Sequence, residues 1–138
     1  NNVLEIRSKT RMMGYLNADS PFDNDGWYNT KDVVEEKDGY YKVIGRTSEV
    51  INVGGLKFMA SELERVALQF QGVELAKAEG KLNPITGQHV ELLLQSKKNF
   101  LINQSKLKKF LKNNLPRHMI PMRIKISNIK ISHRLKKI

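Results

Sequence analysis

The chain has 138 residues, 40% hydrophobic and 28% charged, which suits one packed domain, or one domain plus part of another, and excludes a disordered tail. It contains no cysteine, so a disulfide framework, a cysteine-ligated zinc and a cysteine nucleophile are all excluded. The net charge of +10 is uneven: residues 1–47 hold seven basic and eight acidic side chains, residues 48–138 hold 17 and six, and no acid follows Glu91. Such a basic second part predicts either a solvated cationic surface or one that faces phosphate. No stretch approaches the ~18 consecutive apolar residues of a membrane span. The opening Asn1-Asn2-Val3 has neither a start methionine nor the basic and apolar regions of a signal peptide, so a cytoplasmic piece of a longer protein is expected.

In chain order, Val3 to Ser8 alternates apolar and polar residues as a half-buried strand does, and Asn17 to Gly26 is turn and loop chemistry. Gly39 to Arg46 and Glu49 to Val53, rich in aromatic and β-branched residues, read as strands. Gly54-Gly55 predicts a turn that uses positive φ. Ser61 and Glu64 have capping-box spacing, and Leu63, Val66, Ala67 and Phe70 form the buried stripe of a first helix that Gly72 ends. Val73 to Ala78 and Gln88 to Gln95 read as strands joined through the turn-rich Asn83 to Gly87. A second helix from Gln104 to Asn114 buries Leu107, Phe110 and Leu111 and turns Lys106, Lys108, Lys109 and Lys112 outward. Leu115-Pro116 and Ile120-Pro121 break regular structure, and Met122 to Ile126 is a last strand. The fold class is α+β: a small domain of mixed sheet with flanking helices over 48–138, preceded by a β-rich segment over 1–47.

No self-contained active site is legible. His89, His118 and His133 are too far apart in sequence to suggest a metal site, and neither a nucleophile elbow nor a phosphate-cradling loop is present. Catalysis by this chain would need groups from elsewhere. The acid-free run after Glu91 raises a nucleic-acid-binding module as the alternative. Against it, Phe100 and Phe110 are the only aromatics in that run, whereas single-strand binders need exposed stacking platforms.

Between Gly26 and Glu64 lies a dense series of small and charged residues: Gly26-Trp27-Tyr28-Asn29-Thr30-Lys31-Asp32, Asp38-Gly39-Tyr40, Gly45-Arg46, Gly54-Gly55-Leu56-Lys57 and Glu62-Leu63-Glu64. With Met13-Gly14-Tyr15 before it and Leu115-Pro116, Met119-Ile120-Pro121 and a lysine-bearing tail after it, the series resembles the adenylate-forming superfamily. Its members are acyl-CoA and aryl-CoA synthetases, nonribosomal adenylation domains and luciferase-type enzymes. The resemblance implies that residues 1–47 end a large N-terminal domain, as part of its β-barrel subdomain, and that 48–138 form the mobile C-terminal domain. It implies ATP with Mg2+, the metal being bound mainly outside this chain, a small carboxylic acid, and CoA or the phosphopantetheine of an acyl carrier protein as acceptor. The missing N-terminal domain is the implied partner.

The resemblance also assigns roles. Asp32 matches the aspartate that accepts hydrogen bonds from the ribose hydroxyls of ATP, and Arg46 an arginine at the ribose and phosphates. Lys57 matches a basic position that faces nucleotide or CoA phosphate. Ser48 matches the hinge, and Gly54 and Gly55 the turn that closes on the pantetheine arm. In the tail no Gly-Lys pair occurs. Placing Ser132 and Leu135 on the family's Thr and Gly makes Lys136 the catalytic lysine, whereas an ungapped count gives Lys137, and Arg134 is a third candidate. Lys31 stands where the family's Thr-Gly-Asp has glycine, a departure that is tolerable if its backbone keeps negative φ. These departures leave a degenerate, non-catalytic relative as a further alternative.

Overall fold

The computed structural model of the chain describes residues 2–129. It divides into two compact units, one ending at Ser48 and one beginning at Glu49.

The first unit is a three-stranded antiparallel sheet in the order β1 (Val3–Ile6), β2 (Tyr28–Lys37), β3 (Tyr40–Arg46). The tight turn between β2 and β3 is Asp38-Gly39, with φ of +53° and +79°, the twist-compatible geometry that Asp-Gly favours. Periodicity does not mark β2 in the sequence, although this dipeptide announces the turn that ends it. The loop before β2 is tied down by Arg11, whose guanidinium lies over the Phe22 ring and donates to the Gly26 carbonyl at 3.1 Å. Val34 is the only buried hydrophobic side chain among the described residues of this unit, while Met13, Tyr15, Leu16, Tyr40, Tyr41 and Val43 are exposed.

The second unit is a mixed sheet covered on one face by two helices. Its elements are β4 (Val50–Val53), β5 (Leu56–Met59), α1 (Ala60–Ala67), β6 (Val73–Asn83), β7 (Gly87–Ser96), α2 (Gln104–Asn114) and β8 (Arg123–Ile126). The strand path is β5-β4-β7-β6, all antiparallel, and β8 adds to β7 in parallel after the α2 crossover. Period-2 alternation gives the two faces opposite characters. Ala76, Ala78, Val90, Leu92 and Leu94 point into a core with Leu63 and Ala67 of α1 and Leu107 and Leu111 of α2. The intervening Lys77, Glu79, Lys81, His89 and Glu91 line the other face.

α1 begins two residues earlier than its expected capping box. Phe58, Met59 and Ala60 are all buried, so the chain runs from β5 straight into the helix. The box moves with it: Glu62 Oε1 accepts the Met59 amide at 3.0 Å, the reciprocal bond expected of Glu64. Glu64 instead accepts the Ala78 amide of β6 at 2.9 Å, a tie between helix and sheet. The helix closes at Leu68, and Gly72 marks the end of the following turns at φ +89°. A Cβ there would overlap the ring of Phe100, so this position needs glycine for space as well as for backbone. α2 keeps its expected bounds, with Asn103 as N-cap accepting the Lys106 amide at 3.0 Å.

Candidate functional site

A carboxylate and a guanidinium meet in the first unit because of an irregularity in β2. On one side of it Glu5 pairs with Asn29 and Val3 with Val33, so Thr30, Lys31 and Asp32 bulge out of the ladder opposite Leu4. Short side chains hold the bulge. Asn29 Oδ1 accepts the Lys31 amide at 3.0 Å, and Thr30 Oγ1 accepts the Asp32 amide at 3.1 Å while donating to the Leu4 carbonyl at 2.8 Å. Such bulges re-aim side chains at the edge of a site. Here the register on the far side pairs Asp32 with Arg46 of β3, and Arg46 Nε lies 3.0 Å from Asp32 Oδ1. The pair is open to solvent, with the Arg46 side chain 55% exposed and that of Asp32 24%.

Lys31 does not meet the condition of negative φ under which it is tolerable in place of glycine. Its φ is +63°, in the left-handed region that costs a lysine about 1–2 kcal/mol. Both neighbouring amides are committed to the Asn29 and Thr30 side chains, which fixes the bulge and with it this conformation.

Ser48 is exposed within the 3-10 turn Thr47–Glu49, at the junction of the two units. Gly54 and Gly55 form the β4–β5 turn with φ of +60° and +86°. A Cβ at either would meet nothing within 4 Å, so glycine is required there by the backbone alone, and the space above the turn is open. The Gly54 amide donates to the Thr86 carbonyl at 2.9 Å, which fastens this turn to the β6–β7 turn. Lys57 is exposed on β5, directly across from Asn52. Thus Asp32 and Arg46 come together in one unit, and Gly54, Gly55 and Lys57 share one hairpin in the other. Lys136, with its alternatives Lys137 and Arg134, lies outside the described residues.

The described histidines contact neighbours within the second unit. His89 Nε2 is 3.5 Å from Glu91 Oε1, and His118 packs edge-on to Phe58 at 5.7 Å between ring centroids. His133 lies outside the described residues. Among the described residues no group of three or more His, Asp or Glu side chains could hold a metal ion. No described helix is long and apolar enough to cross a membrane. In the acid-free stretch, Phe100 and Phe110 both pack against the core, Phe110 with its ring centroid 5.5 Å from that of Phe70, so neither offers a stacking platform for nucleic acid.

No family model matches the chain. A 2-succinylbenzoate–CoA ligase of Staphylococcus epidermidis is 32% identical over 122 residues, which cover 86% of this chain and 25% of that protein. The solved structure of o-succinylbenzoate CoA synthetase from Bacillus subtilis, in complex with its acyl-adenylate intermediate, matches with a TM-score of 0.80 at 24% identity, over 96% of this chain and 28% of that one. ATP-bound MatB from Rhodopseudomonas palustris matches with a TM-score of 0.74 at 21% identity, over 83% and 23%. The chain therefore spans about a quarter of the length of the curated relatives it matches. It belongs to the adenylate-forming superfamily, as a counterpart of the C-terminal portion of its acid–CoA ligases.

Proposed function

We propose that this chain is the C-terminal part of an ATP-dependent ligase that joins a carboxylic acid to a thiol through an acyl-adenylate. In the first step a carboxylate oxygen attacks the α-phosphorus of ATP and pyrophosphate leaves. In the second the thiol sulfur attacks the acyl carbon and AMP leaves. The observation that carries the reading is the Asp32–Arg46 pair, held at 3.0 Å by the β2 bulge. A carboxylate has lone pairs for two ribose hydroxyls, and a guanidinium beside it orients the carboxylate and meets phosphate as a fork of donors.

Residues 1–47 then close the large domain that binds the acid and most of ATP, and 48–138 form the mobile domain. The near absence of a core in the first unit supports this division, since a three-stranded sheet without a packed face needs further protein to cover it. Lys57 faces nucleotide or CoA phosphate, and the Gly54-Gly55 turn serves the acceptor, whose thiol belongs to CoA or to a carrier-bound phosphopantetheine; open space above the turn suits the close approach of a narrow arm. Lys136 stabilises the charge that develops at the α-phosphate, as a preplaced cation does. A cytoplasmic location fits these substrates.

The test is Asp32→Ala in the full-length ligase, read by equilibrium binding. The affinity for ATP should fall by about tenfold, as for loss of a charge-assisted hydrogen bond, and that for 2′,3′-dideoxy-ATP should barely change. Equal losses on the two nucleotides would reduce Asp32 to a loop residue and remove the basis of the reading.

A further inference from the structure

Three non-glycine residues of the described chain have positive φ: Lys31, Asp38 and Asn99. Aspartate and asparagine tolerate this region because their short polar side chains bond locally, and Asp38 sits in a hairpin turn. Lysine has no such compensation. Strained residues that the surroundings over-determine concentrate at functional sites, and the inference properly runs from the outlier to the function.

The setting of Lys31 gives that function a chemistry. It stands at the crest of the bulge, next in sequence to Asp32, whose carboxylate is 3.0 Å from Arg46. Its side chain is exposed, and its ammonium makes no ion pair with any described residue. Glycine would satisfy the same backbone without strain, and what lysine adds is a flexible point charge one residue from Asp32. We propose that Lys31 is a nucleotide-binding residue that contacts the polyphosphate of an adenosine polyphosphate held by Asp32 and Arg46. The proposal rests on the nucleotide-site reading of that pair and adds to it a cation that is specific to the phosphate end of the ligand.

Calorimetric titration of the full-length ligase with ATP, AMP and adenosine tests it, using Lys31→Gly, Lys31→Gln and Lys31→Arg. Lys31→Gly should raise the melting temperature and yet weaken ATP binding by about tenfold, with a smaller loss on AMP and none on adenosine. Lys31→Gln should show the same ligand order without the gain in stability, and Lys31→Arg should keep ATP affinity. If the glycine variant binds ATP as tightly as the wild type, or loses affinity equally for all three ligands, the proposal is overturned. Asp32→Ala, run in the same series, separates the two ideas. If Asp32→Ala weakens ATP and Lys31→Gly does not, the Lys31 role alone falls, whereas indifference of ATP binding to both removes the nucleotide site itself.

Discussion

Glu79 and Glu91 are direct cross-strand partners on the sheet face opposite α1 and α2, a like-charge pairing that would destabilise a bare sheet. Each is neutralised by its own cations. Lys77 and Lys81 both bond Glu79 at 2.6 Å, while Arg123 and Lys125 of β8 and His89 of β7 surround Glu91. The bond from Lys77, followed by that from Lys81, holds the Glu79 carboxyl down to about 2. Burial pulls Glu91 upward, but bonds from His89 and Lys125 and the charges of Lys125 and Arg123 outweigh it, so its carboxyl also lies below the usual range. A carboxyl with a depressed folded-state pKa adds stability above its unfolded value and loses it as pH falls through the folded value. Glu79→Gln should therefore cost stability at neutral pH, with the difference fading between pH 4.5 and about 2. Because Glu79 is 38% exposed, the loss should stay below about 1 kcal/mol. Urea unfolding at pH 7 and pH 2 measures it, and a difference that persists at pH 2 would show that the ion pairs are not its source.

The glycines and helices separate two kinds of constraint at the level of the element. Gly72→Ala meets both a left-handed backbone and the Phe100 ring and should cost about 2–4 kcal/mol. Gly54→Ala meets open space and should cost only about 1–2 kcal/mol, so denaturant midpoints should rank the two, and the reverse order would refute this account. Leu107→Ala should cost about 2–5 kcal/mol, since Leu107 is fully buried, whereas Lys108→Ala on the outer face of α2 should stay within about 0.5 kcal/mol. α2 was legible to the residue because its apolar period, its Asn103 cap and Leu115-Pro116 all agree. α1 was displaced because two serviceable boxes overlap, Met59 with Glu62 and Ser61 with Glu64, and only the burial of Phe58, Met59 and Ala60 chooses between them. β2 was hidden because its bulge breaks the period-2 pattern, and the same bulge builds the candidate site. Asp32 and Arg46 could be named from the resemblance, but their meeting depends on a cross-strand register, and the positive φ of Lys31 on hydrogen bonds that the Lys31 and Asp32 amides donate to the side chains of Asn29 and Thr30, neither of which a linear pattern encodes.

At the scale of the whole molecule, the two proposed steps require different neighbours around the same acyl group, first the α-phosphate of ATP and then a thiol. The groups proposed for them sit in separate parts of the chain: Lys136 in the tail, and Gly54 and Gly55 in the β4–β5 turn. A rigid-body swing about a few backbone dihedrals serves both, and hinges of this kind are short segments at the ends of elements. The 3-10 turn Thr47–Glu49, with Ser48 at its centre and exposed, is such a segment between two compact units. Proline at 48 would fix its φ near −65° and disfavour the helical conformation of Thr47 that the turn contains. Ser48→Pro in the full-length ligase should thus bias the hinge away from this turn and uncouple the half-reactions. One of the two, pyrophosphate release from ATP and acid or thiol transfer from preformed acyl-AMP, should stay near the wild-type rate while the other falls by about tenfold or more, as a shift of a few kcal/mol in a two-state equilibrium requires. Ser48→Ala, which leaves the backbone free, should retain both. A folded proline variant that runs both half-reactions at wild-type rates would take Ser48 out of the hinge and move the swing to a neighbouring bond.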